Sequence, residues 1–375
     1  MSKNQKGIIY PPLPHELEAR SSNFDKKIRN FSDSAFSQLI GHSYVSSIDC
    51  MAMTSNFQPE RDFNAVLDAE FVRKCLKKKN YQDLINIAGQ RNCLERCVIA
   101  QKYKVSFGVD ILASFRADLV GDFRILMEGL FVPQIEFLVK CLRRAMKGFG
   151  TCEKSLYEIL VPCTNEDIKR IKETYLIKYG RDIETDLRQE TSGHFRRILV
   201  SLIQGGRVED PLEEQVNQEQ AQKDAQDLYK AGEARWGTDE GSFNAIMCNR
   251  SWPQLRLTFD QYENLSKKNI LQVIRSEFSG DICSTHLAIA KMAINSAAFH
   301  AELLHRSMKG LGTDDDALIR IIISRCELDI KDIKKEYMTC YKRSLADDIR
   351  DDTSGNYQQL LLLLIKEAPP PKPGK

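Results

Sequence analysis

A short loop sequence of the form Gly/Arg-x-Gly-Thr occurs three times in this chain of 375 residues. An acidic residue follows the last glycine of each copy at a distance of 40 residues. The loop and acid pairs are Gly148–Thr151 with Glu190, Arg235–Thr238 with Glu277, and Gly310–Thr313 with Asp352. A fixed distance predicts two loops of one folded unit that meet in space. One loop offers backbone carbonyls and the other a carboxylate, and hard oxygen ligands of this kind favour calcium.

The spacing of the acids also indicates an internal repeat. Glu190, Glu277 and Asp352 are separated by 87 and 75 residues, and Asp118 lies 72 residues before Glu190. Each of the four acids lies in the local pattern Arg-x-Asp/Glu-x-Ser/Thr/Val-Gly. Because a repeated sequence specifies a repeated structural unit, the pattern predicts four units of roughly 70 residues. The larger spacing predicts extra chain between the second unit and the third.

The chain resembles an annexin over residues 62–366. Lys147–Thr151 and Lys309–Thr313 both have the sequence Lys-Gly-x-Gly-Thr ahead of a distant acid, and Ala231–Thr238 is similar to the third repeat of annexins specifically. The resemblance implies an all-α fold of four annexin-type repeats, each of about five helices, arranged as a curved disc. It also implies calcium-dependent binding to anionic phospholipid membranes, with calcium as the cofactor.

By this resemblance, each calcium site takes three loop carbonyls and one bidentate carboxylate from Glu190, Glu277 or Asp352. The implied loop ligands are Met146, Gly148 and Gly150 in the second repeat, Gly232, Arg235 and Gly237 in the third, and Met308, Gly310 and Gly312 in the fourth. These five oxygens are fewer than the six to eight that calcium takes. A lipid phosphate or carboxylate would complete each site, so calcium and membrane are expected to bind cooperatively.

Side chains at the loop apices are expected to contact lipid headgroups. The residues that we predict to do so are Lys147, Phe149, Trp236, Lys309 and Leu311. Tryptophan prefers the membrane interface and lysine is attracted to anionic lipid. The alternative for an isolated tryptophan is a place in the core, and the alternative for the three acids is a solvated charge. The loop sequence around Trp236 and the repeated spacing of the acids argue against these alternatives.

The first repeat departs from the pattern. Lys77–Tyr81 replaces the expected loop, and no glycine occurs between Phe71 and Gly89. We therefore predict no annexin-type calcium site beside Asp118. Two interpretations of the lysines at 77–79 stay open, a solvated end of a helix and direct attraction to anionic lipid.

Apolar residues recur at helical spacing within the repeats, and no stretch shows sustained alternation of period two. In the fourth repeat the pattern predicts helices over Phe299–Met308, Ala317–Ile323, Asp329–Tyr341, Ser344–Arg350 and Tyr357–Lys366. Thr313 is predicted to cap the second of these helices. The predicted divisions of the chain are an N-terminal segment 1–60, repeats 61–132, 133–204, 225–298 and 299–368, a linker 205–224 and a Pro-rich tail 369–375.

Composition indicates a globular protein outside the membrane core. The net charge of +2 argues against bulk attraction to nucleic acid. The longest apolar run, Leu360–Ile365, is too short to span a bilayer, and the start of the chain has no apolar run typical of a secretory signal. We therefore expect a cytoplasmic protein that binds membranes peripherally, is a monomer in solution and assembles laterally on the membrane. Arrival at the cell exterior without a signal peptide stays open.

The cysteines do not indicate a metal site. Their number, 11, is odd, and no Cys-x-x-Cys pair occurs. We predict mostly reduced, buried thiols, and a single disulfide stays open. Cys163 stands where the other repeats have Arg91, Arg250 and Arg325, so the second repeat lacks a hydrogen-bond donor at that point.

Two classes of function remain. The first is a membrane-associated scaffold that binds phospholipid through calcium. The alternative is an adaptor that acts through the N-terminal segment, in part without calcium, and recruits a cytoskeletal or helical protein partner. An enzyme is disfavoured, because the chain has no Gly-x-Ser-x-Gly, His-Glu-x-x-His or P-loop motif.

Overall fold

A computed structural model describes residues 63–148, 150–209, 216–234, 237–310 and 312–367. Within these residues every helix or strand assigned is an α-helix, which confirms the all-α class. The predicted N-terminal segment and Pro-rich tail lie outside the described residues. So do Phe149, Arg235, Trp236 and Leu311.

The twenty helices of the described residues form four groups of five. Repeat 1 has α1 (Ala65–Lys78), α2 (Tyr81–Gln90), α3 (Cys93–Phe107), α4 (Ile111–Asp118) and α5 (Gly121–Leu130). Repeat 2 has α6 (Gln134–Met146), α7 (Glu153–Leu160), α8 (Asn165–Tyr179), α9 (Ile183–Glu190) and α10 (Gly193–Gln204). Repeat 3 has α11 (Gln218–Ala231), α12 (Glu240–Asn249), α13 (Trp252–Ser266), α14 (Ile270–Glu277) and α15 (Gly280–Ile294). Repeat 4 has α16 (Ser296–Met308), α17 (Asp315–Arg325), α18 (Ile330–Tyr341), α19 (Leu345–Asp352) and α20 (Gly355–Leu364).

Side-chain caps set the starts of many helices. Thr164 begins α8 with a capping box, in which its hydroxyl accepts from the backbone N–H of Asp167 and that carboxylate accepts from the N–H of Thr164. The predicted cap of α17 by Thr313 is wrong. Asp314 is the cap, because its Oδ1 accepts from the backbone N–H of Ala317 at 3.1 Å. The hydroxyl of Thr313 is engaged elsewhere, so the helix begins one residue later than that cap would place it.

A buried tyrosine on the third helix of each repeat positions the fourth helix. The four are Tyr103, Tyr175, Tyr262 and Tyr337, each nearly inaccessible to solvent. Their hydroxyls in repeats 1, 2 and 4 bind Ser114 at 3.1 Å, Asp186 at 2.6 Å, and Asp348. Each of these partners lies one helical turn before the acid that ends the fourth helix. The tyrosine therefore fixes the helix that carries the predicted site acid.

A second repeated contact closes the corner after the second helix. Arg91 pairs with Asp68 at 2.7 Å in repeat 1, and Arg250 pairs with Asp224 at 2.6 Å in repeat 3. At Cys163 the thiol only donates to the carbonyl of its own helix, at 3.1 Å. Repeat 2 thus lacks this ion pair, as the sequence indicates.

All ten described cysteines are free thiols. Four are buried, four are partly buried, and Cys152 and Cys340 are exposed, so burial is less general than predicted. Cys50 lies outside the described residues.

The linker after α10 is anchored to repeat 3 by one arginine. The buried guanidinium of Arg207 donates to the carbonyls of Arg250 at 2.6 Å and Met247 at 3.0 Å. It lies 3.7 Å from the centre of the Trp252 ring, and burial lowers the pKa of Arg207 to about 10. Trp252 is therefore a packing residue. Helix α11 begins at Gln218, inside the range predicted as linker.

Candidate metal centres

The loop of repeat 4 lies between α16 and α17 and faces the end of α19. The backbone N–H of Asp314 donates to the carbonyl of Ser307 at 2.7 Å and closes the base of the loop. The hydroxyl of Thr313 contacts the carbonyl of Asp352 at 3.1 Å and its carboxylate Oδ2 at 2.6 Å. Gly310 and Gly312 have φ of 128° and 86°, a region that favours glycine. A Cβ added at either glycine would meet no atom within 4 Å, so the loop face is open.

Repeat 2 has the same construction between α6 and α7. The N–H of Cys152 donates to the carbonyl of Ala145 at 2.8 Å, and the hydroxyl of Thr151 donates to the carbonyl of Glu190 at 3.0 Å. The carboxylate of Glu190 is exposed and takes no hydrogen bond from this threonine. The loop and the acid are therefore adjacent, but the acid side chain is held less tightly than in repeat 4.

Repeat 3 brings its acid against the loop backbone. The N–H of Asp239 donates to the carbonyl of Ala231 at 2.7 Å, and the hydroxyl of Thr238 contacts the carboxylate Oε2 of Glu277 at 2.7 Å. A Cβ added at Gly232 would lie 3.3 Å from Cδ of Glu277. Only a residue without a side chain leaves this space free, so Gly232 lets the carboxylate approach the backbone of the loop.

Sequence reasoning missed a functional contact in repeat 3. The carboxylate of Glu233 accepts from the hydroxyl of Tyr262 at 2.8 Å and pairs with the ammonium of Lys268. Burial and this carboxylate raise the pKa of Tyr262. The signal was present, because Val273 stands at the repeat position where repeats 2 and 4 have the tyrosine's acidic partner. The tyrosine of repeat 3 thus fixes the loop instead of the fourth helix.

The three pairs fit calcium better than a metal that is held by side chains. Among the described residues, no three His, Cys, Asp or Glu side chains could jointly hold a metal ion. Each pair supplies a single carboxylate, so the remaining ligands must be backbone or water oxygens. Calcium accepts such hard oxygen donors in flexible geometry, whereas zinc sites use nitrogen and sulfur. The open glycine loops provide carbonyls without side chains that would obstruct them.

Repeat 1 has no comparable loop. Only Lys79 and Asn80 separate α1 from α2, and the backbone of Lys79 is left-handed, with φ of 53°. The hydroxyl of Tyr81 donates to the carbonyl of Asp118 at 3.2 Å, so it takes the place of the threonine hydroxyls in the other repeats. The connection between the helices is kept, but it contains no glycine loop. Lysines 77–79 are exposed, which leaves both interpretations of them open.

Four helical repeats, three of which place a glycine loop against a carboxylate, define a repeat protein with oxygen-donor cation sites. The annexin family model matches residues 67–130, 137–202, 223–289 and 299–364. The chain therefore belongs to the annexin family.

Individual relatives support this assignment. The chain is 41% identical over 310 residues to annexin A7 of Homo sapiens, a match that covers 82% of this chain but only 63% of that protein. It is 43% identical over 304 residues to annexin A4 of Bos taurus, covering 80% of this chain and 94% of that protein. The structure of annexin III matches with a TM-score of 0.81 and 40% identity, over 84% of this chain and 97% of the other. A calcium-bound annexin (Sm)1 matches with a TM-score of 0.75 and 34% identity, over 84% and 93%.

Calcium-dependent binding to anionic phospholipid membranes is the function of this annexin, and calcium is the ion that it binds. The comparisons do not favour the alternative of an adaptor that acts through its N-terminal segment. No helix in the described part of the chain is long and apolar enough to cross a membrane.

Proposed function

We propose that the three loop–acid pairs of repeats 2, 3 and 4 carry the calcium-dependent membrane binding. The acids are Glu190, Glu277 and Asp352, and the backbone oxygens are those of Met146, Gly148, Gly150, Gly232, Arg235, Gly237, Met308, Gly310 and Gly312. The observation that supports this assignment is the threonine hydroxyl that joins each loop to its acid, at 3.0 Å from the carbonyl of Glu190 and at 2.7 and 2.6 Å from the carboxylates of Glu277 and Asp352.

The residues of each pair have separate roles. The carboxylate supplies the one formal negative charge, and the glycine backbone supplies carbonyls at an open face. Bound calcium would add a positive charge that attracts a lipid phosphate. Because five protein oxygens leave the usual coordination of six to eight incomplete, calcium affinity should be weak without lipid and stronger with it.

The loop apices would then contact the headgroups. Lys147 and Lys309 are exposed beside their loops and suited to attract anionic lipid. Phe149, Trp236 and Leu311 hold the apex positions in the sequence, and we assign them to membrane contact.

Repeat 1 would contribute no annexin-type calcium site. The repeats themselves would extend over 61–132, 133–204, 225–298 and 299–368, with a linker at 205–224. We further propose a protein without catalytic activity that is a monomer in the cytoplasm, binds membranes peripherally and assembles laterally on them. A cytoskeletal or helical partner of the N-terminal segment would be an additional function.

Asp118→Asn is expected to leave calcium-dependent binding within about twofold of wild type, because no loop faces this acid. Asp352→Asn is expected to raise the calcium concentration for half-binding by roughly tenfold, because it removes the only charge of the repeat-4 pair. Co-sedimentation with phosphatidylglycerol vesicles over a calcium series would measure both. Equal effects of the two substitutions, or wild-type binding that ignores calcium and survives a chelator, would contradict the proposed mechanism.

Thr313→Val is expected to weaken calcium binding in repeat 4 by about tenfold, since a hydrogen bond that orients a metal ligand has this typical effect. Thr151→Val should have a smaller effect, because that hydroxyl contacts only the carbonyl of Glu190. Each variant would be measured with the other two acids neutralised, so that a single site controls vesicle binding. An effect of Thr151→Val as large as that of Thr313→Val would show that the threonine contact with the carboxylate is unimportant.

A further inference from the structure

A cleft of about 370 Å³ lies between repeat 1 and repeat 4. Its walls include Asp118 and Asp122 from repeat 1 and Thr313, Asp315, Asp352 and Tyr357 from repeat 4. Thr313 and Asp352 also form the loop–acid pair of repeat 4, so the cleft adjoins that proposed calcium site. Its volume is in the range of sites for small organic molecules.

The cleft has a strong excess of negative charge. Four of its lining residues are aspartates, and none is a lysine, arginine or histidine. Two other acids on the same wall have partners, because Asp314 pairs with Lys154 at 2.8 Å and Asp316 pairs with Arg144 at 2.9 Å. Within the described part of the chain, none of the four cleft aspartates has such an ion pair. The charge therefore favours a cationic ligand.

A second observation also points to a ligand. Tyr357 lines the cleft and is only 9% exposed, yet its hydroxyl has no hydrogen-bond partner among the described residues. A buried hydroxyl without a partner costs free energy, and such groups are rare in folded proteins. A ligand with N–H groups would supply the missing partner, because the phenol oxygen accepts hydrogen bonds.

A bare metal ion does not fit this cleft. No three acidic side chains of the described residues converge closely enough to hold one, and the volume is far larger than an ion needs. Carboxylates spread around a space suit an organic cation that donates several hydrogen bonds in different directions. A primary ammonium has three such donors, whereas a quaternary ammonium has none.

We propose that this cleft binds the primary ammonium of an aminophospholipid headgroup whose phosphate lies at the repeat-4 site. The inference rests on the proposed calcium site of repeat 4, and it adds a lipid preference to that site. The lipid source is favoured over a soluble amine because Asp352 and Thr313 belong to both features, which places a headgroup phosphate beside the cleft. The cleft carboxylates would accept from the ammonium, as would the hydroxyl oxygen of Tyr357.

The test compares vesicles of phosphatidylglycerol mixed with either phosphatidylethanolamine or phosphatidylcholine in equal proportion. The two vesicles have the same net charge, but only the first offers ammonium N–H groups. Wild-type protein is expected to need on the order of three- to tenfold less calcium on the ethanolamine vesicles, as for charge-assisted hydrogen bonds that are partly exposed. The preference should disappear in Asp122→Asn/Asp315→Asn and decrease in Tyr357→Phe. Neither variant changes a proposed calcium ligand.

The matched control is Asp260→Asn/Asp332→Asn, which removes the same charge from two exposed helix positions outside the cleft. This variant should keep the full preference, which separates recognition in the cleft from differences in lipid packing. Equal calcium requirements on the two vesicles for wild type, or a preference that survives in both cleft variants, would overturn the proposal. Loss of calcium-dependent binding to both vesicles would instead show that the proposed function is wrong.

Two further measurements distinguish other ligands. Calorimetric titration of lipid-free protein with calcium should give the same stoichiometry for wild type and Asp122→Asn/Asp315→Asn. A calcium ion lost in the variant would make the cleft a metal site and overturn the ammonium proposal. Ethanolamine alone should not shift thermal unfolding in the absence of vesicles, and a shift that needs Tyr357 and the cleft aspartates would show a soluble amine as the ligand instead.

Discussion

The variant Glu190→Gln/Glu277→Gln/Asp352→Asn is expected to lose calcium-dependent binding to phosphatidylserine vesicles. Each substitution keeps the size of the side chain but removes the only formal charge that its pair offers to calcium. Because three loops of one chain engage the same surface, their losses should multiply. We expect the calcium requirement to rise on the order of a hundredfold or more, measured by co-sedimentation over a calcium series.

The matched control replaces three acids outside the pairs, as Glu166→Gln/Glu263→Gln/Asp332→Asn. These side chains are exposed on α8, α13 and α18, so the control has the same change in net charge without a change at the loops. It should bind as wild type does. If the site variant still binds with the wild-type calcium requirement, the three-pair mechanism is wrong, and the exposed lysines of repeat 1 become the next candidates.

The fold was accessible from sequence because its signals are local and repeated. Helical periodicity predicts the elements, and a spacing of 40 residues between glycine and acid is preserved only if both lie at fixed points of one unit. The distance from Thr313 to Asp352 in the structure follows from this repetition. Helix ends were less accessible. Thr313 and Asp314 are both good caps by residue type, and only the position of Asp352 draws the threonine hydroxyl away.

Features that depend on contacts between repeats were not accessible from sequence. Asp122 and Asp315 are far apart in the chain and line one cleft only because repeat 1 lies against repeat 4. The exchange of Thr for Tyr81 in repeat 1 was equally hidden, because a longer side chain reaches the same carbonyl from a different register. The predicted membrane contact of Trp236 lies outside the described residues and stays a prediction.

A buried histidine is expected to make repeat 3 sensitive to acid. His286 on α15 is inaccessible to solvent, and neither ring nitrogen has a hydrogen-bond partner among the described residues. Its ring packs against Phe278 at 4.6 Å and Phe243 at 5.9 Å between ring centres. Burial alone lowers the pKa of His286 to about 3, because the charged form would lose its water.

The sign of the pH dependence follows from this shift. The folded pKa lies below the value of 6.5 for an unperturbed histidine, so between these values the unfolded state binds a proton that the folded state does not. The contribution is complete above pH 6.5 and is lost as the pH falls. At 1.36 kcal/mol for each pH unit, the free energy of unfolding should drop by about 2 kcal/mol on going to about pH 5. His300, whose pKa burial lowers to about 4, should add to the same trend.

Urea unfolding at about pH 7 and about pH 5 tests this prediction with two variants. His286→Leu replaces the ring by an apolar side chain of similar volume and should remove about 2 kcal/mol of the acid loss, whereas His194→Gln, at an exposed position, should keep all of it. An acid loss of wild-type size in His286→Leu would contradict the assignment. Because Phe278 follows the site acid Glu277 and packs on this ring, protonation of His286 on unfolding of repeat 3 would also release the repeat-3 loop. Calcium-loaded membranes, which bind only the folded loop, should therefore protect wild-type protein against acid.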